Sequence, residues 1–158
     1  MQCDGLIERL ENEHTLSDAE LAGIISSDEY DAELAERADR VRRSIYGDEV
    51  FIRGLIEFTN YCKNDCYYCG IRRSNKSAVR YRLTKDEILA CCREGYRLGF
   101  RTFVLQGGED GFYTDAVMCG IISAIRTEFP DCAITLSAGE KSRESYKAYF
   151  DAGANRYL

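Results

Sequence analysis

The chain has one histidine, one proline and no tryptophan among its 158 residues. A mechanism that needs two histidines is therefore excluded within it. No apolar run approaches the roughly 20 residues that a membrane-spanning helix requires, so no membrane partner is expected. The opening residues, Met1-Gln2-Cys3-Asp4-Gly5-Leu6, lack the basic-then-apolar order of an export signal. Basic residues are outnumbered by acidic ones, 21 to 27, for a formal net charge of −6. Phosphate backbones are held by net basic faces, so no nucleic-acid partner is expected either. These absences together describe a cytoplasmic chain. Its eight cysteines then point to metal or redox chemistry rather than to disulfides.

The first 47 residues read as helical. Ser17-Asp18-Ala19-Glu20 has the capping-box form, in which the serine oxygen and the glutamate carboxylate satisfy free amides at a helix start. Leu34, Ala38, Val41 and Ile45 follow at helical spacing from Asp31 to Tyr46, and Gly47 is a plausible stop. From Val50 the pattern changes. Val50 to Phe58 is rich in β-branched and apolar residues and reads as a buried strand. A polar loop with three cysteines runs from there to about Leu83. Thr84-Lys85-Asp86-Glu87 is a second capping box, with Leu83 and Ile88 placed as a hydrophobic staple.

The alternation continues: a strand over 102–106, a glycine-rich turn at Gly107-Gly108-Glu109-Asp110-Gly111, and a helix from Thr114 to Glu128 stopped by Pro130. A strand over 133–136, a loop at Ser137-Ala138-Gly139-Glu140, a helix from Ser142 to Ala152 and a strand starting at Arg156 complete it. Strand and helix in this alternation mean βαβ units on a parallel sheet. The organisation is a helical extension over 1–47, then a core over 48–158 with three βα units and the start of a fourth strand. A sequence that stops as a parallel strand begins leaves a raw sheet edge, an aggregation hazard. The reading is therefore of a truncated chain.

Cys62-Lys63-Asn64-Asp65-Cys66-Tyr67-Tyr68-Cys69 is the central motif. It directly follows the first strand, and ligand sites of parallel α/β sheets lie at the carboxyl ends of strands. Thiolates suit iron–sulfur clusters or zinc. A structural zinc site wants four ligands, whereas this tight group supplies three, with His14 far upstream. Three thiolates on a four-iron cube leave one iron open to a chelating ligand. The bland alternative is a zinc knuckle borrowing Cys3 or Cys132, or three unrelated thiols. Cys91, Cys92, Cys119, Cys132 and Cys3 read as small buried apolar residues, and His14 as solvated. Arg53, Arg72, Arg73, Arg80 and Arg82 surround the loop, and surface solvation is the default for most of them.

The spacing Cys-x3-Cys-x-aromatic-Cys resembles the signature of the radical-SAM superfamily. The stretch Ile52 to Asn60, the cysteines, Gly70-Ile71-Arg72-Arg73 and Arg80-Tyr81-Arg82 look like the HydE-type maturases of [FeFe]-hydrogenase. Leu105 to Asp110, Leu136 to Glu140 and Ala152 to Leu158 resemble later blocks of the same family.

That resemblance implies the N-terminal half of a radical-SAM (β/α) TIM-type barrel. It implies a [4Fe–4S] cluster on Cys62, Cys66 and Cys69, with S-adenosylmethionine (SAM) chelated by the open iron and cleaved to a 5′-deoxyadenosyl radical. Gly107, Gly108 and Glu109 would meet the SAM amino group. Glu140 would accept from the ribose hydroxyls, with Ser137 beside it, and Tyr68 would pack by the adenine and the cluster. A ferredoxin or flavodoxin electron donor, a small-molecule or organometallic sulfur-bearing substrate and other hydrogenase maturases are the implied partners. The alternatives are a biotin-synthase-like or methylornithine-synthase-like enzyme, an inactive fragment, and an iron–sulfur or zinc-binding module.

Overall fold

A computed structural model describes residues 5–158, so Cys3 lies outside the described residues. They divide into two compact units after Val50. The first holds α1 (Leu6–Glu13), α2 (Asp18–Ile25), a single 3-10 turn at Asp28–Tyr30 and α3 (Asp31–Tyr46). The capping box at α2 is formed: Ser17 Oγ accepts from the Glu20 amide at 3.3 Å, and the Glu20 carboxylate accepts from the Ser17 amide at 2.8 Å. The Ser17 amide, with Arg9 at 2.9 Å, holds the Glu20 carboxyl down to about 2. Arg37 of α3 bridges Glu33 and Glu11 at 2.9 and 2.8 Å. Val41 and Ile45 of the α3 stripe are exposed, and Gly47 ends the helix.

The second unit is β1 (Gly54–Thr59), α4 (Lys85–Arg97), β2 (Thr102–Gly107), α5 (Asp115–Glu128), β3 (Ala133–Ser137), α6 (Arg143–Ala152) and β4 (Arg156–Tyr157). The four strands pair in parallel in sequence order. This is the α/β alternation the sequence implies. Ile56, Phe58, Phe103, Leu105, Ile134 and Leu136 pack with Ile88, Cys92, Ile121, Ile122 and Ile125 of the helices in one core. Alternate strand residues face the other way. There the register sets Glu57 beside Gln106 and Gln106 beside Ser137, at the carboxyl ends of the strands.

One element differs from expectation. The first strand begins at Gly54, not Val50, because its ladder starts with Gly54 opposite Phe103 and β2 itself begins at Thr102. Val50, Phe51 and Ile52 are exposed. Their apolar, β-branched composition imitates a strand, but composition cannot report where the partner strand starts.

Candidate functional site

The cysteine loop joins β1 to α4. Its two ends lie side by side: Thr59 bridges Arg82 in antiparallel fashion, the Leu83 amide donates to the Phe58 carbonyl at 2.8 Å, and Asn60 Nδ2 donates to the Val79 carbonyl at 2.6 Å. Within the loop the Cys69 amide donates to the Cys66 carbonyl at 3.0 Å and the Arg73 amide to the Asn64 carbonyl at 2.9 Å. The Asp65 carboxylate accepts from the Ser74 amide at 2.9 Å, and that contact before any other holds its carboxyl below the usual range. The loop thus has a defined path, held by main-chain bonds and by side chains bonded to its main chain.

Cys62 and Cys69 are half-buried and Cys66 is exposed, so all three thiols can be reached. Among the described residues no group of three His, Cys, Asp or Glu converges as a single metal ion would require. A cluster asks something different, one thiolate for each of three irons. Three soft thiol donors on one loop meet that demand in number and type. The surroundings are also electropositive. Six of the 21 basic residues, but one of the 27 acidic residues, lie between Asn60 and Arg82.

The loop is seated on the end of β2. A β-carbon at Gly108 would lie 2.7 Å from Cys62 Cβ and would also run into the Tyr61 carbonyl. Only glycine lets the two backbones come this close. A β-carbon at Gly107 would meet Thr59 Cγ2 at 2.8 Å and the Phe58 ring at 2.9 Å. The next residue, Glu109, then faces the loop: Lys63 Nζ lies 2.9 Å from Glu109 Oε2, Asn64 Nδ2 donates to Glu109 Oε1 at 2.6 Å, and the Lys63 amide donates to the Glu109 carbonyl at 3.0 Å. The Lys63 contact, more than any other, keeps the Glu109 carboxyl below the usual carboxylate range although burial pushes it up.

The β3 turn joins the same place. Gly139 has φ +78°, and a β-carbon there would lie 2.7 Å from Glu109 Oε1. Glu109 before any other group raises the Lys63 ammonium, and a backbone hydrogen bond from Glu140 is among the contacts that lower the Glu109 carboxyl. A cavity of about 290 Å³ adjoins Lys63, lined among others by Glu109, Asp110, Tyr113 and Lys141. The structure therefore brings Cys62, Gly107, Gly108, Glu109 and Glu140 together at the carboxyl ends of the strands. Ser137 lies in the strand row with Gln106 and Glu57. Tyr68 is 92% exposed, so it is not an ordinary buried tyrosine.

Among the other residues the expectations hold at Cys92, Cys132 and His14 and are corrected at Cys91 and at three arginines. Cys92 is buried and its thiol is pushed up to about 12 by burial, but Cys91 next to it is exposed. Adjacent helix positions point about 100° apart, so one faces the core and the other solvent. Cys132 is buried and Cys119 half-buried, while His14 is exposed at the end of α1. Solvation is also the wrong account of three arginines. Arg72 donates to the Cys69 carbonyl at 3.1 Å, Arg80 donates into four loop carbonyls, and Arg82 pairs with Asp110 beneath the Tyr61 and Phe112 rings. Only their crowding around the motif signalled this. Asn64, which holds Glu109, carried no signal in the sequence.

The family model for the radical SAM superfamily matches residues 56–158, and the chain belongs to that superfamily. It is 42% identical over 154 residues to the [FeFe] hydrogenase maturase subunit HydE of Thermotoga maritima, covering 97% of this chain and 44% of that protein. It is 37% identical over 100 residues to the 3-methylornithine synthase of Methanosarcina acetivorans, covering 62% of this chain and 28% of the other. Among solved structures, methylornithine synthase (PylB) superposes with a TM-score of 0.82 at 29% identity, over 96% of this chain and 46% of that one. The FeFe-hydrogenase maturase HydG of Carboxydothermus hydrogenoformans gives 0.81 at 27% identity, over 96% and 36%. The chain thus spans less than half the length of the relatives it matches.

Proposed function

We propose that Cys62, Cys66 and Cys69 hold a [4Fe–4S] cluster whose open iron binds SAM, and that the protein works in [FeFe]-hydrogenase maturation as HydE-type enzymes do. The observation that supports this is the seating of the cysteine loop on Gly108, which sets Cys62 against the turn that carries Glu109. When bound, the cluster supplies the electron that cleaves SAM to methionine and a 5′-deoxyadenosyl radical.

The chain's own residues bind and orient. Glu109, kept ionised by Lys63 and Asn64, is suited to accept from the SAM ammonium. Gly107 and Gly108 seat β1 and the cysteine loop against this turn, beside which that group would lie. Glu140 has the acceptor oxygens for two ribose hydroxyls, Ser137 adds a hydroxyl three residues earlier at the end of β3, and exposed Tyr68 offers a ring face to the adenine. Reduction calls for a low-potential donor such as ferredoxin or flavodoxin. The substrate class is a small sulfur-bearing or organometallic precursor.

Identity to HydE extends across 97% of the chain, and so over most of the first 50 residues, whereas identity to two 3-methylornithine synthases covers 62% and 70%. This favours the maturase over a carbon-skeleton synthase. The test is electron paramagnetic resonance on the anaerobically reconstituted, dithionite-reduced chain. A [4Fe–4S]+ signal whose g-values move on adding SAM is the expected result. Stoichiometric zinc without a cluster would overturn it.

A further inference from the structure

Arg80 makes the densest set of contacts in the cysteine loop, and the proposed SAM chemistry leaves it without a part. Its guanidinium donates to the carbonyls of Ile71 at 2.8 Å, Arg72 at 2.7 Å and Asn75 at 3.2 Å, and to that of Asn60. Asn60 precedes Cys62 by two residues, and Ile71 and Arg72 follow Cys69 by two and three. One side chain therefore ties the entry of the thiol-bearing segment to its exit. The planar fork of an arginine can serve several acceptors at once without rearranging, which a lysine cannot do.

Its charge is held differently from those of Lys63 and Arg82. Lys63 is neutralised by Glu109 and Arg82 by Asp110. Arg80 is half-buried, its four acceptors are neutral carbonyls, and among the described residues it makes no ion pair. An uncancelled cation is thus fixed in the loop that carries three thiols. Three thiolates on a cluster are net negative, and net charge and hydrogen bonding around a cluster set its potential.

We infer that Arg80 is the positioning residue of the cysteine loop: it fixes the loop's path before any metal arrives, and it leaves its own charge to balance the cluster. The second half rests on the cluster reading above; the first does not. Cluster assembly then needs little reordering of the chain, because the loop's ordering cost is met on folding.

The experiment compares the full chain with Arg80→Lys and Arg80→Gln. In the metal-free proteins, amide hydrogen exchange over residues 60–75 should quicken at least tenfold in both variants, with the amides of α5 unchanged. After anaerobic reconstitution, Arg80→Gln should retain less than half the iron of the parent chain, and its remaining cluster should reduce at a lower potential. Arg80→Lys should restore the potential without restoring full iron retention. Loop exchange within twofold of the parent in Arg80→Gln would overturn the positioning role whatever the iron does. An unchanged potential in Arg80→Gln would overturn the charge role. If the parent chain itself takes up no iron, the cluster reading and the charge role fall together, and metal-free exchange alone decides the positioning role.

Discussion

Arg82 and Asp110 meet through two parallel hydrogen bonds, Nε to Oδ2 at 2.6 Å and Nη2 to Oδ1 at 2.9 Å. The guanidinium is stacked 4.0 Å from the centre of the Tyr61 ring, and Thr59 Oγ1 donates to the same carboxylate at 2.9 Å. The pair joins the exit of the cysteine loop to the turn that follows β2. Paired forks of this kind fix geometry as well as charge.

This pair makes stability depend on acid. Burial pushes the Asp110 carboxyl up, but Arg82, the Phe112 amide and the Thr59 hydroxyl together hold it below its ordinary value. A carboxyl lowered in the folded state stabilises above its unfolded pKa of about 3.9. That contribution is lost as pH falls through the lower folded value. Thermal melts from pH 6 to pH 2.5 should therefore show a shallower acid decline in Asp110→Asn than in the parent chain. Parallel declines would rule out the linkage.

Gly108→Ala should leave the fold intact and damage the site. The added methyl runs into Cys62 Cβ and the Tyr61 carbonyl, so the loop must lift off β2. Iron bound after reconstitution should fall about tenfold, a loss equal to roughly 1.4 kcal/mol, with the circular dichroism spectrum unchanged. Gly111→Ala is the control, since nothing lies within 4 Å of its added carbon.

Gly139→Ala should separate SAM binding from cluster binding. Its methyl would occupy the space of the Glu109 carboxylate, away from the thiols. Iron content should hold while the SAM-induced shift in g-values needs at least tenfold more SAM. Equal SAM titrations would show that Glu109 does not meet the cofactor.

Thr135 is fully buried in β3, and its hydroxyl is the one buried side-chain polar atom without a partner among the described residues. An orphaned buried hydroxyl costs about 1–3 kcal/mol. Thr135→Val keeps the shape and removes that cost, so denaturant unfolding should show a gain of about 1 kcal/mol.

Thiol labelling should divide neighbours in sequence. The thiolate is the nucleophile, and Cys92 is buried with its thiol pushed up to about 12, whereas Cys91 is exposed. Brief alkylation of the folded chain followed by mass spectrometry should modify Cys91 and spare Cys92.

The helices were readable because their signals are local. Both capping boxes form as the residues at 17–20 and 84–87 imply, and the ends at Gly47 and Gly153 fall where a glycine permits them. The start of β1 was not readable, since it depends on where β2 begins, some fifty residues away. The site divides in the same manner. The cysteine spacing and the Gly-Gly-Glu turn are contiguous motifs. The roles of Arg80, Arg82 and Asn64 arise from contacts across 5 to 45 positions, with acceptors that are often main-chain carbonyls. A carbonyl is present at every residue, so the sequence contains nothing that marks the chosen ones.

That same use of carbonyls has a consequence for how the loop can change over time. Arg80 holds the loop through atoms that every amino acid supplies. The side chain at 71 can therefore be exchanged without removing an acceptor, while Arg80 itself cannot. Lineages sharing this architecture can remodel the outward surface of the loop, and with it whatever approaches from solvent, while the three sulfurs keep their places.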